Sequence, residues 1–538
     1  MTDLPKSQSI NPEQDAKPKE DLTGRDRLVS SVFFSWASYL VFIIAGFIMP
    51  RMIDRRLGQE LLGVWDFAWS LVTYFSLVQA GIGSSVNRYV ARYRASGDIT
   101  SVNQIVSSAF CILSFAGLLV MGLTIAVSLL LPQLFSTRLG EHIHDAQLVV
   151  FFLGASICIQ ITLGAFNGVL TGCHRWKLQN INISGWYAAT VVGMIIALIS
   201  GGGLWVLAVI TFAGQVLCDV TRMILANKVC EGLQLRLSLV RWLTMKKLFV
   251  FGAKTLIPSV SNLLLNQTIS IMIIVYLGPA MLALYARPRS LIRHLDTLMR
   301  KMAMILIPTT SSLQSTGKLQ EIRELLIKSV RYSFFIVLPI IVMLVVFGGP
   351  ILQFWMGPRY ANGLIPAILA TGYLAALAQT PILMILAGMN AHGRAGIGLF
   401  ITSLFSVGLT VLAVGYMKWG LVGAAVGITL PLTILNIAYL PRLICRKVEL
   451  STVRYFMSVT VGPALHVLPF ALCLVGARLI FPTKPFAGLL WGGSVGGTVL
   501  TILYWRNVLP DRIKMWVFHY PRKMLRSTGF LSTTKSVI

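Results

Sequence analysis

Between Leu28 and Trp505 the chain is a succession of apolar runs, each long enough to cross a bilayer, joined by polar connections. With 538 residues, 56% of them hydrophobic and 12% charged, and a mean hydropathy of +0.76, little length is left for anything else. A backbone in hydrocarbon must satisfy its own hydrogen bonds, and a run of ~20 apolar residues does so as a helix. The fold class is therefore an all-α polytopic membrane protein of about fourteen transmembrane helices. The runs read as Leu28 to Ile53, Leu61 to Ile82, Val106 to Leu131, Ala146 to Gly168, Ile183 to Ser200, Leu204 to Ala226, Leu248 to Leu277 and Leu277 to Pro308. Six more begin near Ser329, Leu364, Ile397, Leu421, Met457 and Ala487.

The net charge of +27 follows this pattern and does not indicate nucleic acid, because Lys and Arg lie mostly between spans and in the tail. There they set topology and meet anionic membrane lipids. Alternate connections are basic: Arg88, Arg92 and Arg94; His174, Arg175 and Lys177; the cluster from Lys228 to Lys247; Lys318 to Arg331; Arg394; Arg442 to Arg454. Both termini are expected on the cytosolic side. Arg51, Asp54, Arg55 and Arg56 break the pattern on the outer side, where interfacial snorkelling accounts for them. The seven cysteines have no metal-ligand spacing and read as small core residues, and no Walker loop, zinc motif or nucleophile elbow occurs. No cofactor is expected.

The eighth span carries Arg287, Arg289, Arg293, His294, Asp296, Arg300 and Lys301. Positions 289, 293, 296 and 300 step by four, three and four, which places them on one helical stripe. Charges in a span are costly unless they face a partner or a wet cavity, so this helix is a candidate anion site. The alternative is pairing inside the bundle, for which Asp296 stands three residues from Arg293 and four from Arg300. Asp219 and Arg222 are spaced as a local structural pair.

Leu57 and Leu277 lie 220 residues apart, and the same separation relates Gly58 to Gly278, Leu62 to Leu282, Ser70 to Ser290, Gly97 to Gly317 and Gly168 to Gly388. An internal repeat of two six-helix lobes follows, in parallel orientation because six is even, with a binding site expected between them. The expected layout is a disordered cytosolic tail (1–27), an N-terminal six-helix lobe (28–230), a basic cytosolic connection (231–247), a C-terminal six-helix lobe (248–447), helices 13 and 14 (448–505) and a basic cytosolic tail (506–538).

The runs Leu57-Gly58, Leu62-Gly63-Val64-Trp65-Asp66-Phe67, Tyr74-Phe75, Gly81-Ile82-Gly83, Asn87-Arg88-Tyr89-Val90 and Ser96-Gly97-Asp98 resemble the opening of bacterial polysaccharide-transport (Wzx-type) flippases. Leu277-Gly278, Tyr285, Pro308 and Thr316-Gly317 repeat the resemblance in the second half, and it extends over roughly residues 25 to 450. The wider group is the multidrug/oligosaccharidyl-lipid/polysaccharide exporter superfamily. The resemblance implies translocation of an undecaprenyl-diphosphate-linked oligosaccharide from the inner to the outer leaflet, with polysaccharide polymerase machinery as a further partner.

On that reading Arg287, Arg289, Arg293, Arg88 and Lys254 are candidate substrate contacts, since guanidinium groups offer bidentate donors to phosphate oxygens. Asp66, whose neighbour Phe67 is the repeat counterpart of Arg287, either pairs an Arg or takes part in ion coupling, as does Asp296. A multidrug antiporter of the same superfamily is a second reading, disfavoured by the Arg-rich span. A membrane glycosyltransferase or ligase using Asp54 is a third, disfavoured by outer connections too short to hold an acceptor.

Overall fold

Residues 28–79, 81–253, 256–511 and 514 are described by the computed structural model of the chain, and all their regular structure is helical. Lys254 and most of both expected tails lie outside these residues. In the first half the helices are α1 (Leu28–Leu57), α2 (Gln59–Thr73), α3 (Ile82–Ala95), α4 (Ile99–Leu139), α5 (Ile143–Thr162) and α6 (Gly164–Gly172). Then come α7 (Trp176–Ile199), α8 (Leu204–Val229), α9 (Trp242–Ala253), α10 (Leu256–Leu263), α11 (Ile269–Leu277) and α12 (Pro279–Ala303). The second half continues with α13 (Leu306–Ser315), α14 (Leu319–Met356), α15 (Leu364–Ala378), α16 (Thr380–Gly388) and α17 (His392–Thr410). The last are α18 (Gly420–Ile434), α19 (Leu440–Lys447), α20 (Thr452–Phe456), α21 (Gly462–Ile480) and α22 (Pro485–Asn507).

Among the described residues, twelve helices are long and apolar enough to cross a membrane by length and composition. The fourteen counted from sequence differ from these in two places. One of the twelve, Ile99–Thr162, contains both α4 and α5, and α12 is left out because of its charges. The chain is thus a multi-pass membrane protein in which one helix is far more polar than its neighbours.

The described residues cluster into two compact units, one drawn from Met1–Met49, Phe75–Leu130 and Gln147–Leu256, the other from Pro50–Tyr74, Leu131–Ala146 and Ile257–Ile538. In the first, α3 packs on α6 and α7 on α8. Gly168 and Gly172 of α6 bring its backbone against Val86 and Val90, the close approach that small residues permit between helices in lipid. Asn103 holds the connection after α8 by donating to Gly232 O (2.9 Å) and accepting from the Gln234 amide (3.0 Å). The expected Asp219–Arg222 pair forms, buried within α8, with Gln215 donating to the same carboxylate at 2.8 Å.

In the second unit α12 packs on α2, α11 and α15, α14 on α15, and α21 on both α14 and α22. Phe347 of α14 is buried with Val467, Phe470 and Leu474 of α21. The 220-residue repeat is written into the backbone: Gly58 and Gly278 share positive φ (98° and 88°), as do Gly97 and Gly317 (73° and 69°). Side chains other than glycine rarely adopt these angles, so the glycines fix where α2, α12, α4 and α14 begin.

Gly63 of α2 lies so close to Pro279 that a Cβ there would collide with its backbone carbonyl. Because backbone cannot yield as a side chain can, Gly63→Val is expected to cost ~1–3 kcal/mol of stability and lower folded yield. Thermal unfolding in detergent checks this, with Gly83→Ala, where a Cβ meets open space, as the comparison.

Candidate functional site

Gly278 ends α11 and Pro279 opens α12, supplying a fixed φ at a position whose N–H needs no helical partner. Gln59 at the start of α2 donates to Ala280 O at 3.0 Å, tying the two helix starts together. From this anchor α12 presents Leu282, Ala283, Tyr285, Arg287, Pro288, Ser290, Ile292 and Leu295 to the interior. Arg287 is therefore carried inward, only 5% exposed, and its Nη2 donates to the carboxylate of Asp66 on α2, itself 20% exposed. The pairing foreseen between the α2 carboxylate and an α12 arginine forms.

Arg289 is held differently. Its guanidinium donates to Asn266 Oδ1 and lies 4.4 Å from the ring centre of Tyr373 on α15. Asn266 belongs to a π-helical stretch, Leu264–Thr268, between α10 and α11, a local widening of the helix that is common at functional sites. The same stretch places Thr268 against the Tyr74 hydroxyl. Neither Asn266 nor Tyr373 carries a neutralising charge, so they orient Arg289 without compensating it, and among the described residues no carboxylate pairs with it.

Further along, Asp296 accepts both contacts from Arg300 Nε (3.0 and 3.1 Å), so the acid foreseen as a partner for Arg293 or Arg300 takes the latter. Arg293 is exposed. Two buried donors, Tyr285 Oη and Arg287 Nε, lack a hydrogen-bond partner among the described residues. An unsatisfied buried donor costs ~1–3 kcal/mol, and such a group marks a place where strain or a ligand is accommodated.

Two of the charges around the end of α1 are also met by protein. Arg51 Nη1 donates to Phe354 O (3.0 Å) in the last turn of α14, where a cation complements the helix dipole. Asp54 accepts from the Tyr360 hydroxyl at 2.8 Å. Burial pushes the Tyr360 phenol well up from its ordinary value, and its bond to Asp54 pushes it the same way.

Of the candidates, Asp66, Arg287, Arg289, Arg293 and Asp296 come together in the second unit, whereas Arg88 is exposed on α3 of the other and Lys254 lies outside the described residues. Asn266, Tyr373 and Tyr360 were not singled out by sequence. Asn266 is an uncharged amide within the seventh span and has no spacing relation to the arginine stripe.

Removing one member of the Asp66–Arg287 pair strands a buried charge, so Asp66→Ala is expected to cost ~3–5 kcal/mol. Asp66→Leu with Arg287→Met should recover most of that loss. Chemical unfolding of the single and double variants measures the difference; equal losses would refute the pairing.

A family model described as polysaccharide biosynthesis protein matches residues 95–364, half of the chain. "Uncharacterized membrane protein EpsK" of Bacillus subtilis (strain 168) is 22% identical over 76% of this chain and 82% of its own length. A Shigella flexneri protein named "Putative O-antigen transporter" is 24% identical, over 72% of this chain and 92% of its own. Among solved structures, that of the lipid II flippase MurJ in an inward closed conformation superposes with a TM-score of 0.67 at 13% identity, covering 89% of this chain and all of that one. The Shigella relative is a transporter and MurJ a flippase by name, and the charged α12 is set in a fold shared with the latter. With half its length in the family model, the chain belongs to the polysaccharide biosynthesis protein family, as a multi-pass membrane protein that shares its fold with the lipid II flippase.

Proposed function

We propose that this protein flips a polyprenyl-diphosphate-linked oligosaccharide, an O-antigen, capsule or exopolysaccharide unit, from the inner to the outer leaflet of the bacterial cytoplasmic membrane by alternating access, and delivers it to polymerase machinery. The observation that carries the reading is Arg289: a guanidinium at span depth, oriented by Asn266 and Tyr373 and neutralised by neither. A diphosphate supplies the missing negative charge, and pairs of its oxygens accept the planar bidentate fork of the guanidinium. Exposed Arg293, one helical turn away, is the natural first contact.

Arg287 has a different role in this scheme. Its charge is already matched by Asp66, so an arriving diphosphate competes with that carboxylate for the same guanidinium. Loss of the pair releases α2 from α12, which links head-group binding to conformational change. Moving two negative charges outward is assisted by an interior-negative potential, by up to ~4.6 kcal/mol at 100 mV. Export of organic cations would call for carboxylates where α12 instead supplies arginine.

Arg289→Ala with Arg293→Ala is expected to trap the lipid-linked oligosaccharide in the inner leaflet, each lost charge-assisted contact weakening capture by roughly 10- to 100-fold, the equivalent of ~1.5–3 kcal/mol. Arg289→Lys should be impaired as well, because an ammonium cannot reproduce the bidentate fork. Leaflet-specific labelling of the glycolipid in cells tests this. Normal outer-leaflet glycolipid with wild-type levels of the double variant in the membrane would refute the head-group assignment.

A further inference from the structure

An apolar groove of 940 Å³ runs along α17 and α18, lined by side chains that include Ile401, Leu404, Phe405, Leu430 and Ile434. It extends from Leu412 to Ile397, fifteen residues or ~22 Å of helix, which exceeds the ~15 Å depth of one leaflet's hydrocarbon. Two π-helical stretches, Val411–Tyr416 after α17 and Leu435–Tyr439 after α18, border it. Gly408 faces it with open space where a side chain would stand. At its other end Tyr439 packs over Gly398 and donates to Arg394 O at 3.1 Å.

Tyr439 also lines a second pocket, of 540 Å³, together with Arg394, Arg442, Arg446 and Lys447. The side chains of these four cations have no ion-pair or hydrogen-bond partner among the described residues. Arg442 and Arg446 stand four apart on α19, where like charges repel, and the acid that follows, Glu449, is taken by Arg323 at 3.0 Å. Apolar groove and basic pocket thus adjoin through one tyrosine. None of their lining residues belongs to the α12 site.

We infer that this composite is a binding site for an anionic glycerophospholipid, with an acyl chain along α17 and α18 and the phosphate among Arg394, Arg442, Arg446 and Lys447. Charge complementarity selects the occupant. A groove in a membrane meets acyl chains of every lipid, but four unpaired cations at its mouth favour the lipid whose head group is an anion. The basic end coincides with connections that charge asymmetry assigns to the cytosolic leaflet, where the surface is negative. The site does not depend on what the transporter carries.

Native mass spectrometry of the full chain, released from nanodiscs of phosphatidylglycerol, of phosphatidylethanolamine, or of phosphatidylglycerol doped with undecaprenyl phosphate, tests the inference. Phosphatidylglycerol should be retained in preference to phosphatidylethanolamine. Arg442→Gln and Arg446→Gln should each weaken retention about fivefold, the equivalent of ~1 kcal/mol per basic residue near the surface. Gly408→Trp, which fills the groove and leaves every charge in place, should weaken it too, and keeps the test decisive if a charge variant misfolds. Equal retention of the two phospholipids, or retention indifferent to Gly408→Trp, would overturn the inference. Undecaprenyl phosphate displacing phosphatidylglycerol in a manner lost with Gly408→Trp would overturn it in favour of the carrier lipid.

Discussion

A guanidinium within the span of a membrane protein needs a counter-charge, neutral hydrogen-bonding partners or water, and the second unit is organised around meeting that need for α12. Three of its arginines are met in three different ways. Asp66 on α2 answers Arg287, the π-helical Asn266 and Tyr373 of α15 answer Arg289, and Asp296 answers Arg300 within the helix. The close approach of Gly63 to Pro279 and the Gln59 bond to Ala280 set the spacing that makes the first of these possible. Packing at the start of α2 and α12 therefore determines an electrostatic contact two helical turns further along.

This arrangement grades the cations by how much charge they retain. Arg287 is neutralised and buried, Arg289 is oriented without being neutralised, and Arg293 is exposed. A pathway for an anion is better served by such a gradient than by a cluster of equal charges, because a site that binds too tightly does not release. The Tyr285 hydroxyl and Arg287 Nε, both buried and without a hydrogen-bond partner among the described residues, add donors on the same helix that a phosphate oxygen would satisfy.

Much of the fold was legible because it rests on properties that leave a periodic or positional trace. Helices of ~20 apolar residues are set by bilayer thickness. The repeat was visible at Gly58 and Gly278 because a positive φ excludes other residues, and the same two glycines open corresponding helices in both halves. The repeat set Phe67, the neighbour of Asp66, against Arg287 and left Asp66 open between pairing an Arg and ion coupling; the structure has it paired with Arg287. What sequence does not encode locally is the partner of Arg289. Asn266 reaches it through a π-helical stretch and Tyr373 from a helix more than eighty residues later, and neither has a spacing relation to the arginine stripe. Pattern also ranked Arg287 and Arg289 equally, whereas burial separates a neutralised arginine from a charged one.

The central claim is that the charge left on Arg289 serves a diphosphate head group. Its most direct measurement is translocation of a fluorescent polyprenyl-diphosphate oligosaccharide in proteoliposomes, beside the monophosphate analogue of the same lipid and sugar. The account predicts that the wild type moves the diphosphate faster than the monophosphate and that Arg289→Ala abolishes this preference. Translocation indifferent to phosphate number, or a preference unchanged in Arg289→Ala, would contradict it.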